Sequence, residues 1–390
     1  MKINKLFFLP LYFFLFIITF GFFFRTSQIT GGDYLILNSQ TAHLISFSYA
    51  WCNYTNLGMN CAPIILHYLP YGILINIVFS LTHNGFITER VVWWLPFFFL
   101  SFFSIIILFK KIFPGNSFWI LTPLIFIWNT YSLMIIGGGQ VAGIGVAYAA
   151  MPLLFYFMIS FFEKLRQNSS KKLRFAILFG IAMALEAVFD ARILFLFSLP
   201  FILYLLMSLK GLKFSPKNLV LIFTPFLIVF LLHFFWIVPS FLIGQNPLTQ
   251  LGPAYSTVGA VKFFSFANFE NALALLHPNW PENVFGKTGF MRSEFILIPV
   301  LAFVFLLFKH KKEYKLNLNY FALLSLIGVF LAKGANPPFG DLYTFAFEHL
   351  PGFGVFRDPT KWYMLITVSY SILVPLSISK IYSWLRGENK

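Results

Sequence analysis

The sequence predicts an all-α integral membrane protein with about ten transmembrane helices. Of its 390 residues 59% are hydrophobic and only 11% are charged, and the mean hydropathy is +0.79. A soluble domain carries about a quarter charged residues. The apolar residues form windows of about 20 residues, the length that crosses a bilayer. Helices are expected in these windows, because a helix satisfies its own backbone hydrogen bonds in lipid.

Ten windows have the length and apolar character of a membrane span. They lie at 6–24, 91–109, 118–136, 141–162, 173–189, 193–209, 218–240, 293–308, 317–332 and 363–380. An eleventh window, 62–81, is apolar but contains Pro63, His67, Pro70 and Asn76. Its composition alone does not decide whether it crosses the membrane.

The charge distribution decides how window 62–81 is interpreted. Cytoplasmic loops carry an excess of Lys and Arg. If 62–81 lies flat in the membrane interface, 19 of the 28 Lys and Arg but only 3 of the 13 acids fall on the cytoplasmic side. We therefore expect ten spans in the cell membrane, an amphipathic interfacial helix at 62–81 and both termini in the cytoplasm. The net charge of +15 follows this topology, so it indicates the lipid bilayer rather than nucleic acid as a partner.

The whole chain, 1–390, is predicted to form one polytopic domain with its chemistry on the extracytoplasmic face. That face would be built mainly from 25–90, 241–292 and 333–362. Cys52 and Cys61 both fall in the first of these segments. A disulfide is permitted outside the cytoplasm, and two free thiols are the alternative.

Several short motifs follow one another in a characteristic order. They are Asp33 after the first span, Trp51 and Gly58, the Pro-containing helix 62–81, Asn84-Gly85, and Thr88 to Trp93. This order resembles the GT-C superfamily of membrane glycosyltransferases. Further along, Trp128 to Tyr131, Gly143 to Pro152 and Gly352 to Trp362 are similar to its arabinofuranosyltransferase and YfhO-like branches.

The resemblance implies that the chain transfers a sugar from a polyprenyl-phosphate-linked donor to an extracytoplasmic glycan, lipid or protein acceptor. It assigns catalysis to Asp33. The carboxylate would deprotonate the acceptor hydroxyl, or it would help to hold a divalent metal that binds the donor phosphate. No other cofactor is indicated. The alternative for Asp33 is a loop residue that caps the next helix.

Arg357 and Lys361 precede the last span and are candidates for binding the donor phosphate. An Arg fork and a Lys point charge suit a lipid-linked phosphate at headgroup level. Their alternative role is to anchor a helix start in the interface.

Two sets of charged residues near the ends of predicted spans are candidate partners of this site. Glu186, Asp190 and Arg192 lie at the turn between the fifth and sixth spans, where they form either a structural ion pair or a second catalytic or metal-binding carboxylate. Glu89 and Arg90 open the second span, and we expect them to pack or pair.

Residues His277, Asn279, Trp280 and Glu282 lie in the long outer segment and suit sugar binding by stacking and hydrogen bonding. A membrane-surface loop with an interfacial Trp has the same composition. The sequence contains no HExxH, P-loop or zinc-type cysteine spacing, which argues against those enzyme classes. The alternative function is a non-catalytic GT-C-like protein or a lipid-linked saccharide transporter.

Overall fold

The computed structural model describes residues 8–29, 36–46, 51–52, 59–60, 66–212, 215–242, 256–278 and 293–387. Helices make up nearly all of this part of the chain. In order they are α1 Phe8–Phe24, α2 Ser39–Ser46, α3 Leu66–Thr82, α4 Gly85–Ile112, α5 Ser117–Ile127, α6 Thr130–Gly137, α7 Val141–Arg166, α8 Lys172–Phe189, α9 Arg192–Gly211, α10 Pro216–Leu242, α11 Val258–Phe264, α12 Phe269–Leu273, α13 Ser293–Leu307, α14 Lys312–Ala332, α15 Gly340–His349 and α16 Pro359–Leu385.

One short β-ladder accompanies the described helices. Strand β1, Trp51–Cys52, pairs antiparallel with β2, Met59–Asn60. Trp51 lies opposite Asn60, and Cys52 lies opposite Met59.

Six described helices are long and apolar enough to cross a membrane: α4, α7, α9, α10, α14 and α16. The α5–α6 pair, bent by 45°, would be a seventh. The chain is thus an all-helical, multi-pass membrane protein. All ten predicted windows contain helix, but α1 and α13 are shorter than the six. The 18-residue α8 carries three charged residues, Lys172, Arg174 and Glu186, within the length of a single span, and it is therefore not among the six.

Close helix packing depends on glycines at two crossings. A Cβ on Gly180 of α8 would lie 2.9 Å from the Pro225 Cα of α10. A Cβ on Gly328 of α14 would lie 3.0 Å from the Ile366 side chain of α16. Small residues let helix backbones approach in a membrane. As a result α16 is enclosed, and every residue from Tyr363 to Ser377 is buried.

The two ends of the bundle differ in charge. At one end, which we call the basic end, Lys111 pairs with Glu163 at 2.6 Å, and Lys380 donates to the Lys309 carbonyl at 3.3 Å. Helices α8, α9 and α16 each have one terminus there. Their other termini lie at residues 189, 192 and 359, which defines the opposite end of the bundle.

Helix α3 corresponds to the predicted interfacial helix at 62–81. It begins at Leu66, directly after the undescribed residues 61–65, and it contacts α4 and α8. Tyr71 and Ile75 are buried, and the Tyr71 hydroxyl donates to the Val92 carbonyl. Leu74 and Ile77 on its other face are about half exposed. A helix with an apolar exposed face suits contact with lipid.

The long segments 241–292 and 333–362 contain helices that the sequence did not predict. Helices α11 and α12 lie within 241–292, and α15 lies within 333–362. Helix α15 is held to the start of α16, because the Tyr343 hydroxyl donates to the Phe356 carbonyl at 2.6 Å and accepts from Trp362 Nε1 at 3.2 Å.

Candidate functional site

An ion pair closes the turn between α8 and α9. The Arg192 side chain donates to Asp190 through Nε, at 2.8 Å to Oδ1, and through Nη2, at 2.6 Å to Oδ2. The Asp190 side chain is 6% exposed, whereas that of Arg192 is 43% exposed. The buried anion therefore orients a cation that solvent and ligands can reach.

A second ion pair forms where α16 begins. Asp358 caps the helix, since its Oδ1 accepts from the Thr360 backbone N–H at 3.0 Å and from the Thr360 hydroxyl at 2.6 Å. Its Oδ2 accepts from Lys361 Nζ at 2.8 Å. Asp is a favoured N-cap residue because its carboxylate satisfies backbone donors at the helix start.

The two ion pairs lie close to each other, although more than 160 positions separate them in sequence. Asp358 acts electrostatically on Arg192, and both Asp190 and Arg192 act on Lys361. Burial raises the pKa of Asp358, but the Lys361 charge and the hydrogen bonds outweigh it and leave the pKa at about 2. Burial also raises the pKa of Asp190, and Arg192 outweighs that effect. Both acids are therefore ionised at neutral pH. We call these four residues, which lie at the end of the bundle opposite the basic end, the outer cluster.

Three rings in mutual contact adjoin the outer cluster, and we call them the ring stack after the stacked Tyr131–Tyr363 pair. The His277 ring lies 5.6 Å from Tyr131 and 5.0 Å from Tyr363, and the two tyrosine rings stack at 5.7 Å. The His277 backbone N–H donates to Thr130 Oγ1 at 2.6 Å, and the Tyr363 hydroxyl donates to the Leu276 carbonyl at 2.9 Å. These bonds fix the loop after α12 against α6 and α16.

Polar atoms of the ring stack have no hydrogen-bond partner in the described part of the chain. They are the Tyr131 hydroxyl and both ring nitrogens of His277. His277 is 1% exposed, and burial lowers its pKa to about 4. Asp358 and Lys361 act on it electrostatically. The imidazole is thus neutral at pH 7 and offers one donor and one acceptor beside the outer cluster.

The two cations that were predicted to bind the donor phosphate contact different neighbours. Lys361 is bound to Asp358, whereas the Arg357 guanidinium lies over the Phe264 ring of α11 at 4.7 Å. An aromatic face attracts a guanidinium. Arg357 therefore connects α11 to the residues just before α16, next to the outer cluster.

The ion pair within the group Glu186, Asp190 and Arg192 forms between Arg192 and Asp190, and Glu186 is not part of it. Glu186 is 3% exposed, and neither of its carboxylate oxygens has a hydrogen-bond partner among the residues described. Asp190, one helical turn later, acts on it electrostatically. Glu186 is thus a buried acid directly below the outer cluster.

Glu89 and Arg90 form the expected ion pair, which lies at the end of α1. Arg90 Nε donates to the Phe23 carbonyl at 3.1 Å, and its Nη2 donates to the Ser27 carbonyl at 3.2 Å. Glu89 accepts from the Ile29 backbone N–H at 3.2 Å. The pair fixes the chain that leaves α1.

Helix α3 lies between this pair and the outer cluster. At its start the His67 ring lies 6.0 Å from Trp236, and Asp190 and Arg192 act on His67 electrostatically. Burial lowers the pKa of His67 to about 4. One turn later Tyr71 reaches Val92, next to Arg90.

Several predicted site residues lie outside the described part of the chain. They are Asp33, Asn279, Trp280, Glu282 and the Cys52–Cys61 pairing. The residues that flank 30–35 are bonded to each other: Gln28 donates to the Leu37 carbonyl at 2.8 Å and accepts from its N–H at 2.7 Å. In the described ranges no three His, Cys, Asp or Glu residues form a group that could hold a metal.

Sequence reasoning did not select Tyr131 or Tyr363 as site residues. Tyr131 lies in one of the motifs that carry the resemblance, but nothing local indicates that its ring meets His277, which follows 146 positions later. The signal that was available is the pair of polar residues at a helix start, Asn129 and Thr130. Asn129 caps α6 through the Ser132 N–H at 2.9 Å, and Thr130 holds the loop that carries His277.

In comparisons with known proteins, no family model, curated protein or solved structure matches this chain. The class of protein must therefore be inferred from the sequence resemblance and from the geometry of this site.

Proposed function

We propose that the chain is a membrane glycosyltransferase of the GT-C type, which transfers a sugar from a polyprenyl-phosphate donor to an extracytoplasmic acceptor. One observation carries this proposal. Two ion pairs from distant parts of the chain converge beside a buried ring stack that has unpartnered polar atoms. The proposal includes ten membrane crossings, α3 in the interface, and the outer cluster on the extracytoplasmic face.

The charge of the site suits a phosphate ligand. Arg192, Arg357 and Lys361 contribute three cations near the two carboxylates of the outer cluster. The accessible face of Arg192 is the strongest single contact, because a guanidinium binds phosphate oxygens with several donors at once. A lipid carrier would leave its phosphate at this depth, where the helices end.

The ring stack suits the sugar. His277 and Tyr131 supply neutral donors and acceptors, and aromatic faces pack against sugar rings. Both side chains are buried, so sugar entry requires the loop that carries His277 to move away from Tyr363. The undescribed residues 279–292 continue directly from that loop and include the predicted Trp280.

The base that activates the acceptor is assigned to Asp33 in this proposal. Asp190 and Asp358 are poor bases, since their neighbouring cations hold their pKa values below the usual range and a weaker base removes a proton less readily. A divalent metal would serve the donor phosphate if Asp33 is a ligand instead. The ion-paired state of both acids also favours the second candidate function, a protein that binds or moves a lipid-linked saccharide without transferring it.

One experiment separates the two functions. The full chain in proteoliposomes is given a labelled polyprenyl-phosphate sugar, and transfer and binding are measured for the wild type and for Asp33→Asn. An enzyme predicts that the wild type transfers the label and that Asp33→Asn binds it without transfer. Binding without transfer by both proteins supports the second candidate, and no binding by the wild type contradicts both.

A further inference from the structure

A cavity at the basic end lies far from the proposed donor site. It has a volume of about 360 Å³ and is enclosed by the loop between α4 and α5, the turn before α14 and the last turns of α16. Ligand pockets range from roughly 300 to 1,000 Å³. The polar side chains that line it include Asn116, His310, Lys311, Ser379, Lys380 and Tyr382.

The walls of this cavity are fixed to one another. Asn116 Nδ2 donates to Ser379 Oγ at 3.3 Å, and the Phe118 ring contacts Tyr382 at 5.6 Å. Lys380 Nζ donates to the Lys309 carbonyl at 3.3 Å, which joins α16 to the turn before α14. Three segments that are distant in sequence thus form one concave site, and direct contacts join its walls.

The cavity is positively charged. Lys311 and Lys380 line it, and none of its lining residues is acidic. Just outside it, the Glu313 carboxylate lies 3.9 Å from Lys311 Nζ, and both side chains are largely exposed. An exposed pair at that distance neutralises little of the charge. Hydroxyls of Ser379 and Tyr382 add further groups that bind phosphate oxygens.

We propose that this cavity binds the phosphate of an anionic phospholipid headgroup. A lipid is favoured over a soluble phosphate because the cavity lies where α14 begins and α16 ends, and both helices are long and apolar enough to cross a membrane. Directly after it, Trp384 and Leu385 are 61% and 71% exposed, which suits contact with the interface and acyl chains. Basic pockets between helix ends on the cytoplasmic side bind anionic lipids.

The test uses the purified full chain in detergent, with retained lipid measured by native mass spectrometry. Phosphatidylglycerol is compared with phosphatidylcholine for the wild type, for Lys311→Ala/Lys380→Ala, and for the control Lys171→Ala/Lys210→Ala. The control removes two exposed lysines at the same end but away from the cavity. We expect phosphatidylglycerol binding to weaken about tenfold or more in the cavity variant and to stay unchanged in the control.

A second variant protects the test against misfolding. Lys311→Arg/Lys380→Arg keeps both charges and should retain the lipid. Equal loss in the cavity and control variants, or unchanged binding in the cavity variant, would overturn the proposal. Displacement of the lipid by low millimolar inorganic phosphate would also overturn it, because the site would then belong to a soluble phosphate. This site is independent of the donor site, so its outcome does not affect the proposed function.

Discussion

Arg192 binds Asp190 through two nitrogens, Nε at 2.8 Å and Nη2 at 2.6 Å, across a turn in which a single residue separates them. The anion is buried and the cation is 43% exposed. This asymmetry explains how a positive group can be held in place at the rim of an apolar bundle. It also makes the pair testable, because its two members can be neutralised separately or together.

Neutralising Arg192 alone should destabilise the protein more than neutralising the pair. Arg192→Gln leaves the Asp190 carboxylate buried without its cation, which we expect to lower the free energy of unfolding by about 2 kcal/mol. Asp190→Asn/Arg192→Gln should recover most of that loss. Thermal unfolding in detergent measures both. Equal destabilisation by the single and the double variant would show that the pair does not explain the burial of Asp190.

Arg90 is expected to be essential for folding rather than for chemistry. It is 5% exposed, and its guanidinium donates to carbonyls at the end of α1 as well as to Glu89. Arg90→Lys should therefore still destabilise by about 3 kcal/mol, because one ammonium cannot replace several fixed donors. Size-exclusion profiles and melting temperatures test this. If Arg90→Lys is as stable as the wild type, the several guanidinium donors of Arg90 do not have the stabilising role proposed here.

Neutralising Glu186, in contrast to replacing Arg90, should not destabilise the protein. Since its buried oxygens have no hydrogen-bond partner in the described chain, Glu186→Gln should leave stability within about 1 kcal/mol of the wild type or raise it. Asp190→Asn is the matched comparison and should destabilise. If Glu186→Gln is as destabilising as Asp190→Asn, the carboxylate has a partner that this account does not include.

The stabilising contribution of the buried, neutral His277 should be lost between pH 6.5 and pH 5. The pKa of His277 is about 4 in the folded chain and about 6.5 when unfolded, so the unfolded state binds more protons in this range. The linked loss is about 2 kcal/mol at pH 5 for His277, and His67 adds to it. Asp190 and Asp358 contribute nothing here, because they are ionised in both states above pH 5.

The variant His277→Gln isolates this contribution. Its melting temperature should depend less on pH than that of the wild type, when both are measured at pH 7.5 and pH 5. The same pH dependence in both proteins would show that His277 is not held neutral by burial.

The six helices that could cross a membrane could be predicted from the sequence, because hydropathy over about 20 residues reflects the thickness of the bilayer. Helix α3 could be located as an apolar window, whereas its placement in the interface, which rests on the charges of later loops, stays a prediction. Helices α11, α12 and α15 could not, since they are 5 to 10 residues long and lie in segments of mixed polarity.

The site could be predicted only in part, for a different reason. Asp190, Arg192 and Lys361 attract notice as charges near membrane spans. Their ion-pair partners do not follow from spacing: Lys361 was predicted to bind the donor phosphate together with Arg357, which stays a prediction, and the structure adds an ion pair with Asp358 three positions earlier. The contact of His277 with Tyr131 depends on how α6, α16 and the loop after α12 pack, and one sequence does not encode that in any local pattern.

The most direct test of the central claim is the affinity of the full chain for a labelled polyprenyl-phosphate sugar. Wild type is compared with Asp190→Asn/Arg192→Gln, which removes the cation without leaving a buried charge, and with the control Lys171→Gln/Lys210→Gln at the basic end. We predict that Asp190→Asn/Arg192→Gln binds the sugar donor at least about tenfold more weakly than the wild type and that the control binds it like the wild type. Equal affinity of the paired variant and the wild type would contradict it.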